Sequence, residues 1–220
     1  MWINLRGVTF IELIIGLALG SFVIAAILGL YIRFAGTSSH LVTQLGIVNE
    51  LDTVLGMMSR DIRRAGYWRF EDPAFVTDNP FTAIGTDLQT GSYGGMTPDS
   101  CLTYAYDLNR DGLFSHGNNE LFGFRRRDNA IEMRTAGASP GCSAGSWQKI
   151  TPLTMRVTSL TFTIEREFFD PYSAANTCQD SACQLIRRVH ITLSAGPADN
   201  TDNDVTMTST ILIRNNRTAP

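Results

Sequence analysis

The stretch Gly7-Val-Thr-Phe-Ile-Glu-Leu13, with the apolar run that continues it as far as Ile32, decides how this chain is organised. Residues 13–32 read LIIGLALGSFVIAAILGLYI and carry no charge. As a helix this run measures roughly 30 Å, which is the thickness of the hydrocarbon layer of a bilayer. We therefore predict a membrane-spanning helix between Arg6 and Arg33.

One acidic residue, Glu12, lies just inside this apolar segment. An unpaired carboxylate is costly at that position, so the sequence predicts that Glu12 has a partner. An ordinary signal anchor gives no reason for the acid. A cleaved secretory signal fits less well, because the run is too long and no Ala-x-Ala-like cleavage site follows it.

Four features occur together at the N-terminus: the basic leader Met1-Trp-Ile-Asn-Leu-Arg6, the glycine after it, the order Thr-Phe-Ile-Glu, and the apolar helix. In this combination they resemble the N-terminus of type IV prepilins and type II secretion pseudopilins. The resemblance implies that a prepilin peptidase cuts between Gly7 and Val8 and methylates the new amino terminus. It also implies that Glu12 pairs with such a terminus during filament assembly.

A second helical pattern follows the membrane segment, because apolar residues recur there at steps of three and four. These residues are Leu41, Leu45, Val48, Leu51, Leu55, Met58, Ile62 and Ala65. One helix from about Thr9 to Ala65 is therefore predicted, capped by Gly66. The predicted divisions are a leader (1–7), a membrane or filament-core helix (8–34), its amphipathic continuation (35–66) and a β-rich head (67–220).

Residues 67–100 are predicted to be a long irregular connection, after which the apolar pattern changes to a period of two. The predicted strands are Cys101–Tyr106, Leu121–Arg126, Ala130–Arg134, Leu153–Val157, Leu160–Phe169, Leu185–Leu193 and Val205–Arg214. Strands without helices between them favour antiparallel pairing, and the amphipathic helix can cover one apolar face. The predicted fold class is α+β, with a long N-terminal helix packed on an antiparallel β-sheet.

Within the pilin group, Met57-Met-Ser-Arg-Asp-Ile-Arg-Arg-Ala-Gly-Tyr67 and Ile211–Asn215 resemble PilW-type minor pilins, to which J-type minor pseudopilins are related. The resemblance implies a minor pilin of the bacterial inner membrane, with a periplasmic C-terminal domain, that assembles with other minor and major pilins. Two alternatives are a minor pseudopilin of type II secretion and a calcium-binding, membrane-anchored periplasmic module that does not assemble.

Charge and cysteine content agree with an exported domain. The formal charge of −3 and the scattered basic residues give no electrostatic footprint for nucleic acid. The short basic leader predicts export of the chain that follows the helix, where disulfides persist. Three pairings are open to Cys101, Cys142, Cys178 and Cys183, of which we favour Cys101 with Cys142 and Cys178 with Cys183. A zinc site is disfavoured because no Cys-x-x-Cys occurs.

Three further motifs could carry binding or chemistry. Asp107, Asn109 and Asp111 precede Gly112 as in the first half of a calcium loop, with Asn118 at the twelfth place and Glu120 as a substitute, although a plain turn has the same composition. Gly16 and Gly20 form Gly-x-x-x-Gly, which permits close helix packing but is also common in membrane helices.

Gly141-Cys-Ser143-Ala-Gly145 matches a nucleophile-elbow string, but its context lacks the required strand and helix, so no enzyme is predicted. His190 is expected on the polar face of its strand. The pair Glu165 and Glu167 is expected to be matched by cross-strand cations such as Arg187 or Arg188.

Overall fold

A computed structural model describes residues 7–69, 79–115, 117, 119–169, 184–199, 203–215 and 217–218. The chain divides into two compact units, Met1–Leu45 and Gly46–Pro220. Helix α1 spans Phe10–Ile62, and a short 3-10 helix spans Pro80–Thr82. The strands are β1 (Gln89–Gly91), β2 (Cys101–Ala105), β3 (Leu121–Arg127), β4 (Ala130–Ala136), β5 (Ser146–Lys149), β6 (Met155–Phe169), β7 (Gln184–Pro197), β8 (Val205–Leu212) and β9 (Arg217–Thr218).

The strands form two antiparallel sheets. The first has five strands in the order β1-β2-β3-β4-β5. The second has the order β6-β7-β8, with β9 also paired to β7. Among the described residues, every pair of neighbouring strands is antiparallel, as expected for strands that follow one another without crossover helices. The predicted α+β class is confirmed, while the division into two sheets was not predicted.

One hydrophobic core joins the C-terminal part of α1 to both sheets. The helix contributes Leu51, Met58 and Ile62, each 0% exposed. The first sheet contributes Leu102, Tyr104, Phe124 and Ile131, and the second contributes Val157, Leu160, Phe162, Val189, Ile191, Leu193 and Ile211. The predicted cover of the sheet by the amphipathic helix is therefore confirmed.

The buried face of α1 begins later than its sequence pattern suggests. Leu41 and Leu45 are exposed, and burial starts at Ile47, close to where the second compact unit begins. Val54 also belongs to the buried face although it was not in the predicted series. Periodicity marks a face as apolar, but it cannot say over which part of the helix a partner covers that face.

Helix α1 ends at Ile62 and not at Ala65 as predicted, and the turn that follows it, residues 63–66, closes on Gly66. Its φ of +74° is a left-handed conformation that favours glycine at a helix C-terminus. A Cβ there would lie 2.8 Å from Thr82 Cγ2, so a larger residue would also collide. The Gly66 N–H donates to the Ala105 carbonyl at 2.8 Å, which ties the helix end to β2.

Two strand predictions differ in detail from the structure. The segments predicted at Leu153–Val157 and Leu160–Phe169 form the single strand β6, whose register shifts between Val157 and Ser159. This bulge interrupts the period of two, and for that reason the sequence suggests a break. Strands β1, β5 and β9 were not predicted, since each has at most four residues and is a strand only through pairing with its neighbour.

Replacing Leu51 with Ala tests the core that joins the helix to both sheets. Removing a fully buried leucine should lower the free energy of unfolding by about 2–5 kcal/mol. Leu45→Ala, at a residue 62% exposed, is the matched control and should change it by less than about 0.5 kcal/mol. Urea unfolding of the purified full chain in detergent measures both variants. Equal effects of the two would contradict the packing described here.

Candidate functional site

The first described residues, Gly7 and Val8, precede α1 and are exposed. Thr9 is the N-cap of the helix. Its hydroxyl accepts a hydrogen bond from the Glu12 N–H at 3.3 Å, and Glu12 Oε2 accepts from the Thr9 N–H and the Thr9 hydroxyl, both at 2.9 Å. This reciprocal arrangement is a capping box, in which a carboxylate satisfies N–H groups at the positive end of the helix dipole. In the single chain, Glu12 is therefore partnered by Thr9.

The residues after Glu12 form an apolar helix surface. The segment Phe10–Phe34 has the length and composition of a membrane span, and none of it is buried within the chain. A Cβ built on Gly16 or Gly20 would meet nothing within 4 Å, so the Gly-x-x-x-Gly face is open. An exposed apolar surface of this extent marks a site for lipid or for other apolar helices.

Cys101 and Cys142 form a disulfide with a Cα–Cα distance of 6.1 Å, as predicted. The bond joins the first residue of β2 to the turns between β4 and β5. Cys178 and Cys183 lie outside the described residues. Ser143 also lies in these turns and is not at a strand-to-helix junction, so the elbow string has none of the geometry that a nucleophilic serine needs.

The loop between β2 and β3 brings three carboxylates together. One oxygen from each of Asp107, Asp111 and Glu120 lies within 4.8 Å of the others. Asp107 and Glu120 are each 1% exposed, whereas Asp111 is exposed. Asn109 accepts from the Asp111 N–H at 3.0 Å, and its amide donates to Asp111 Oδ2 at 2.7 Å. The structure therefore groups Glu120 with the predicted pair of aspartates, while Asn109 orients Asp111.

Backbone amides hold one oxygen of each buried carboxylate. Asp107 Oδ2 accepts from the N–H groups of Arg69 and Gly112, both at 3.1 Å. Glu120 Oε2 accepts from the Ser115 N–H at 3.1 Å. Among the described residues, no donor reaches Asp107 Oδ1 or Glu120 Oε1. Burial raises the pKa of Glu120, and the nearby charges of Asp111 and Asp107 add to this effect, although the backbone amides of Ser115 and Leu108 oppose it.

A buried polar network on α1 was missed by the sequence analysis. The hydroxyls of Tyr104 and Tyr106 donate to the two oxygens of Asp61 at 2.6 and 3.0 Å. Burial and the Asp61 charge raise the pKa of both tyrosines, so both hydroxyls remain donors. The sequence signal for this network is Asp61, which lies beside the apolar helix positions 58 and 62. It is accompanied by Tyr104 and Tyr106 at alternate positions of one predicted strand.

The acidic pair on β6 is matched from β7 as predicted. Arg188 lies 2.9 Å from Glu167 and 3.6 Å from Glu165, and His190 bonds Glu165 and Thr210 on the exposed face. Of the two arginines named in the prediction, Arg188 pairs with these glutamates and Arg187 does not. It alternates to the other face, where it is 0% exposed and pairs with Asp87 and the Asn215 carbonyl.

Three features define a pilin-like α+β protein. They are the exposed apolar part of α1, the packing of its second part on antiparallel sheets, and the carboxylate in its first turn. Residues 40–214 match the family described as PpdB, prepilin peptidase-dependent protein B, and the chain belongs to that family. No curated protein and no solved structure matches the chain.

The family match agrees with the expectation of a type IV pilin-related protein that depends on a prepilin peptidase. The match begins at residue 40, so it does not include the N-terminal motif at residues 7–13. Motif and match are therefore separate observations that lead to the same class of protein.

Glu120→Gln tests the electrostatics of the loop. Because the folded pKa of Glu120 is raised above its ordinary 4.5, the folded state binds more protons than the unfolded state between pH 4.5 and the folded pKa, and stability falls as pH rises across that window. With EDTA present, the variant should have a higher melting temperature than the wild type at pH 7. The difference should be about 2–4 °C for each kcal/mol by which the substitution raises the free energy of unfolding, and it should disappear near pH 4. Thermal melts across this range measure the effect. A variant less stable than the wild type at pH 7 would contradict it.

Proposed function

We propose that this protein is a minor type IV pilin of the PilW-like kind, which is cleaved after Gly7, methylated at Val8 and assembled through its N-terminal helix into the pilus or its initiation complex. The observation that carries the proposal is the exposed apolar helix with one acidic residue in its first turn. Membership of a prepilin peptidase-dependent family supports the processing step.

The position of Gly7 and Val8 suits processing. Both residues are exposed and lie ahead of the capped helix, so a peptidase can reach the bond between them without unwinding α1. Before cleavage, the apolar segment anchors the precursor in the inner membrane, and the second unit lies in the periplasm. After cleavage, the helix is free to leave the bilayer and pack among other minor and major pilins.

The proposed assembly mechanism is electrostatic. Cleavage turns the Val8 nitrogen into a positively charged amino terminus, one residue from the Thr9 N–H that already donates to Glu12 at 2.9 Å. The Glu12 carboxylate therefore faces the end of the helix where the new charge forms. Among apolar helices the carboxylate is stable only when paired, so its pairing with the Val8 terminus of its own or an adjacent chain fixes the axial register.

Substitutions at Glu12 separate this role from helix capping. Glu12→Gln can still accept hydrogen bonds from Thr9 but carries no charge, and Glu12→Ala lacks both properties. Both should reduce incorporation into sheared filaments at least tenfold, with normal amounts of precursor in the membrane, as measured by immunoblotting of the two fractions.

The matched control is Thr9→Val, which removes the hydroxyl and keeps the N–H and the Glu12 charge. It should assemble within about twofold of the wild type. Wild-type incorporation of Glu12→Gln would show that the cap suffices and that the charge pairing proposed here is wrong.

The N-terminus of the native protein tests processing directly. Mass spectrometry of the protein from cells should find a chain that begins with methylated Val8, while cells without the prepilin peptidase should yield a chain that still includes Gly7. A functional protein that begins at Met1 would contradict the proposal and favour a membrane-anchored module that does not assemble. Gene deletion separates the remaining alternative, since loss of protein export with intact surface pili would indicate a pseudopilin.

A further inference from the structure

The loop between β2 and β3 places two buried carboxylates beside a third one. Burial of an ionised carboxylate is costly unless its oxygens are hydrogen-bonded or bound to a cation. Asp107 and Glu120 are each 1% exposed, and each has one oxygen that no described residue donates to. Two such oxygens in one loop make its folded conformation costly when no cation is bound.

We propose that this loop binds a calcium ion through the carboxylates of Asp107, Asp111 and Glu120. Their oxygens lie within 4.8 Å of one another. Two ligands of one calcium ion can be up to about 5 Å apart, because each lies about 2.3–2.6 Å from the ion. The three carboxylates therefore coordinate one ion without a large movement of the backbone.

The loop is shaped so that its oxygens converge. Gly112 has a φ of +77° and Arg110 a φ of +62°, and these left-handed residues turn the chain back after Asn109. The Gly112 N–H then donates to Asp107 Oδ2 at 3.1 Å, while Asp107 Oδ1 has no donor among the described residues. Asn109 holds Asp111 in the same way from the exposed side.

Residues outside the loop hold it in place. The Trp68 indole N–H donates to the Gly112 carbonyl at 2.8 Å, and the Arg69 guanidinium donates to the Arg110 carbonyl at 2.8 Å. The carboxylates are thus presented by a loop that is already anchored to the chain following α1, which reduces the ordering that ion binding requires.

Calcium suits this donor set better than magnesium or zinc. All three carboxylates supply hard oxygen atoms from an irregular loop, and calcium accepts irregular oxygen geometries. Magnesium demands near-octahedral geometry at about 2.0–2.1 Å and keeps several waters, and zinc sites mostly include nitrogen or sulfur. The bound ion offsets the mutual repulsion of the three charges and ties both ends of the loop together.

Calorimetric titration of the purified, EDTA-treated full chain in detergent with CaCl2 tests the site. We expect one ion per chain with a dissociation constant of about 1 mM or below, the range of extracellular calcium modules. The melting temperature should rise with calcium concentration, because an ion that binds only the folded state stabilises it. MgCl2 should bind at least tenfold more weakly.

Two variants locate the ion. Glu120→Gln and the exposed Asp111→Asn should each weaken calcium binding at least tenfold. Asp128→Asn is the matched control, since Asp128 is an exposed aspartate of the turn between β3 and β4 with a φ of +53°, and it should bind as the wild type does. Circular dichroism confirms that each variant is folded, and if Glu120→Gln fails to fold, the wild type and Asp111→Asn decide.

Three results would overturn the proposal. They are no heat of binding and no melting shift in the wild type up to 10 mM calcium, tighter binding of magnesium than of calcium, or unchanged affinity in a folded Asp111→Asn or Glu120→Gln variant. None of the three ligands belongs to the N-terminal unit, so failure of calcium binding leaves the filament proposal intact, and failure of assembly leaves the calcium proposal intact.

Discussion

The burial of one face of α1 in a core shared with both sheets is the interaction on which the second unit depends. Leu51, Met58 and Ile62 contact a core to which both sheets contribute, and close packing of such a core leaves little freedom for either sheet to shift. The same helix carries Asp61, which accepts hydrogen bonds from the hydroxyls of Tyr104 and Tyr106. Beyond the helix end, Gly66 lies so close to Thr82 that a Cβ would be 2.8 Å from Thr82 Cγ2.

The first part of α1 meets a different requirement. Its apolar side chains are not buried by any described residue, which leaves them open to lipid or other helices, while the carboxylate of Glu12 is satisfied locally by Thr9. In the proposed filament, the partner of that carboxylate changes from a neutral N–H group to a charged amino terminus.

Buried charges fix the irregular segments of the second unit. Arg187, on β7, pairs with Asp87 and with the Asn215 carbonyl, and the Asn215 amide donates to the carbonyls of Arg64 and Ala65 at the helix end. Removal of one partner from such a buried pair leaves an uncompensated charge and is strongly destabilising. The loop of Asp107 and Glu120 differs, because its neighbouring side chains are all acidic, which is the reason for the calcium site proposed there.

The sequence by itself determined the long helix, the antiparallel strands of strong period and the pilin-like class, and it favoured Cys101 with Cys142 among three possible pairings. It also placed Glu12 and the aspartates of the β2–β3 loop. Only the tertiary structure decided that the strands divide into two sheets, that Cys101 bonds Cys142 and that Arg187 turns inward to Asp87. It also decided that Glu120, which the sequence offered as a substitute ligand, joins Asp107 and Asp111. The physical reason is that the spacing of apolar residues shows which face of a single helix or strand is buried. It does not show which distant segment covers that face or pairs with that strand.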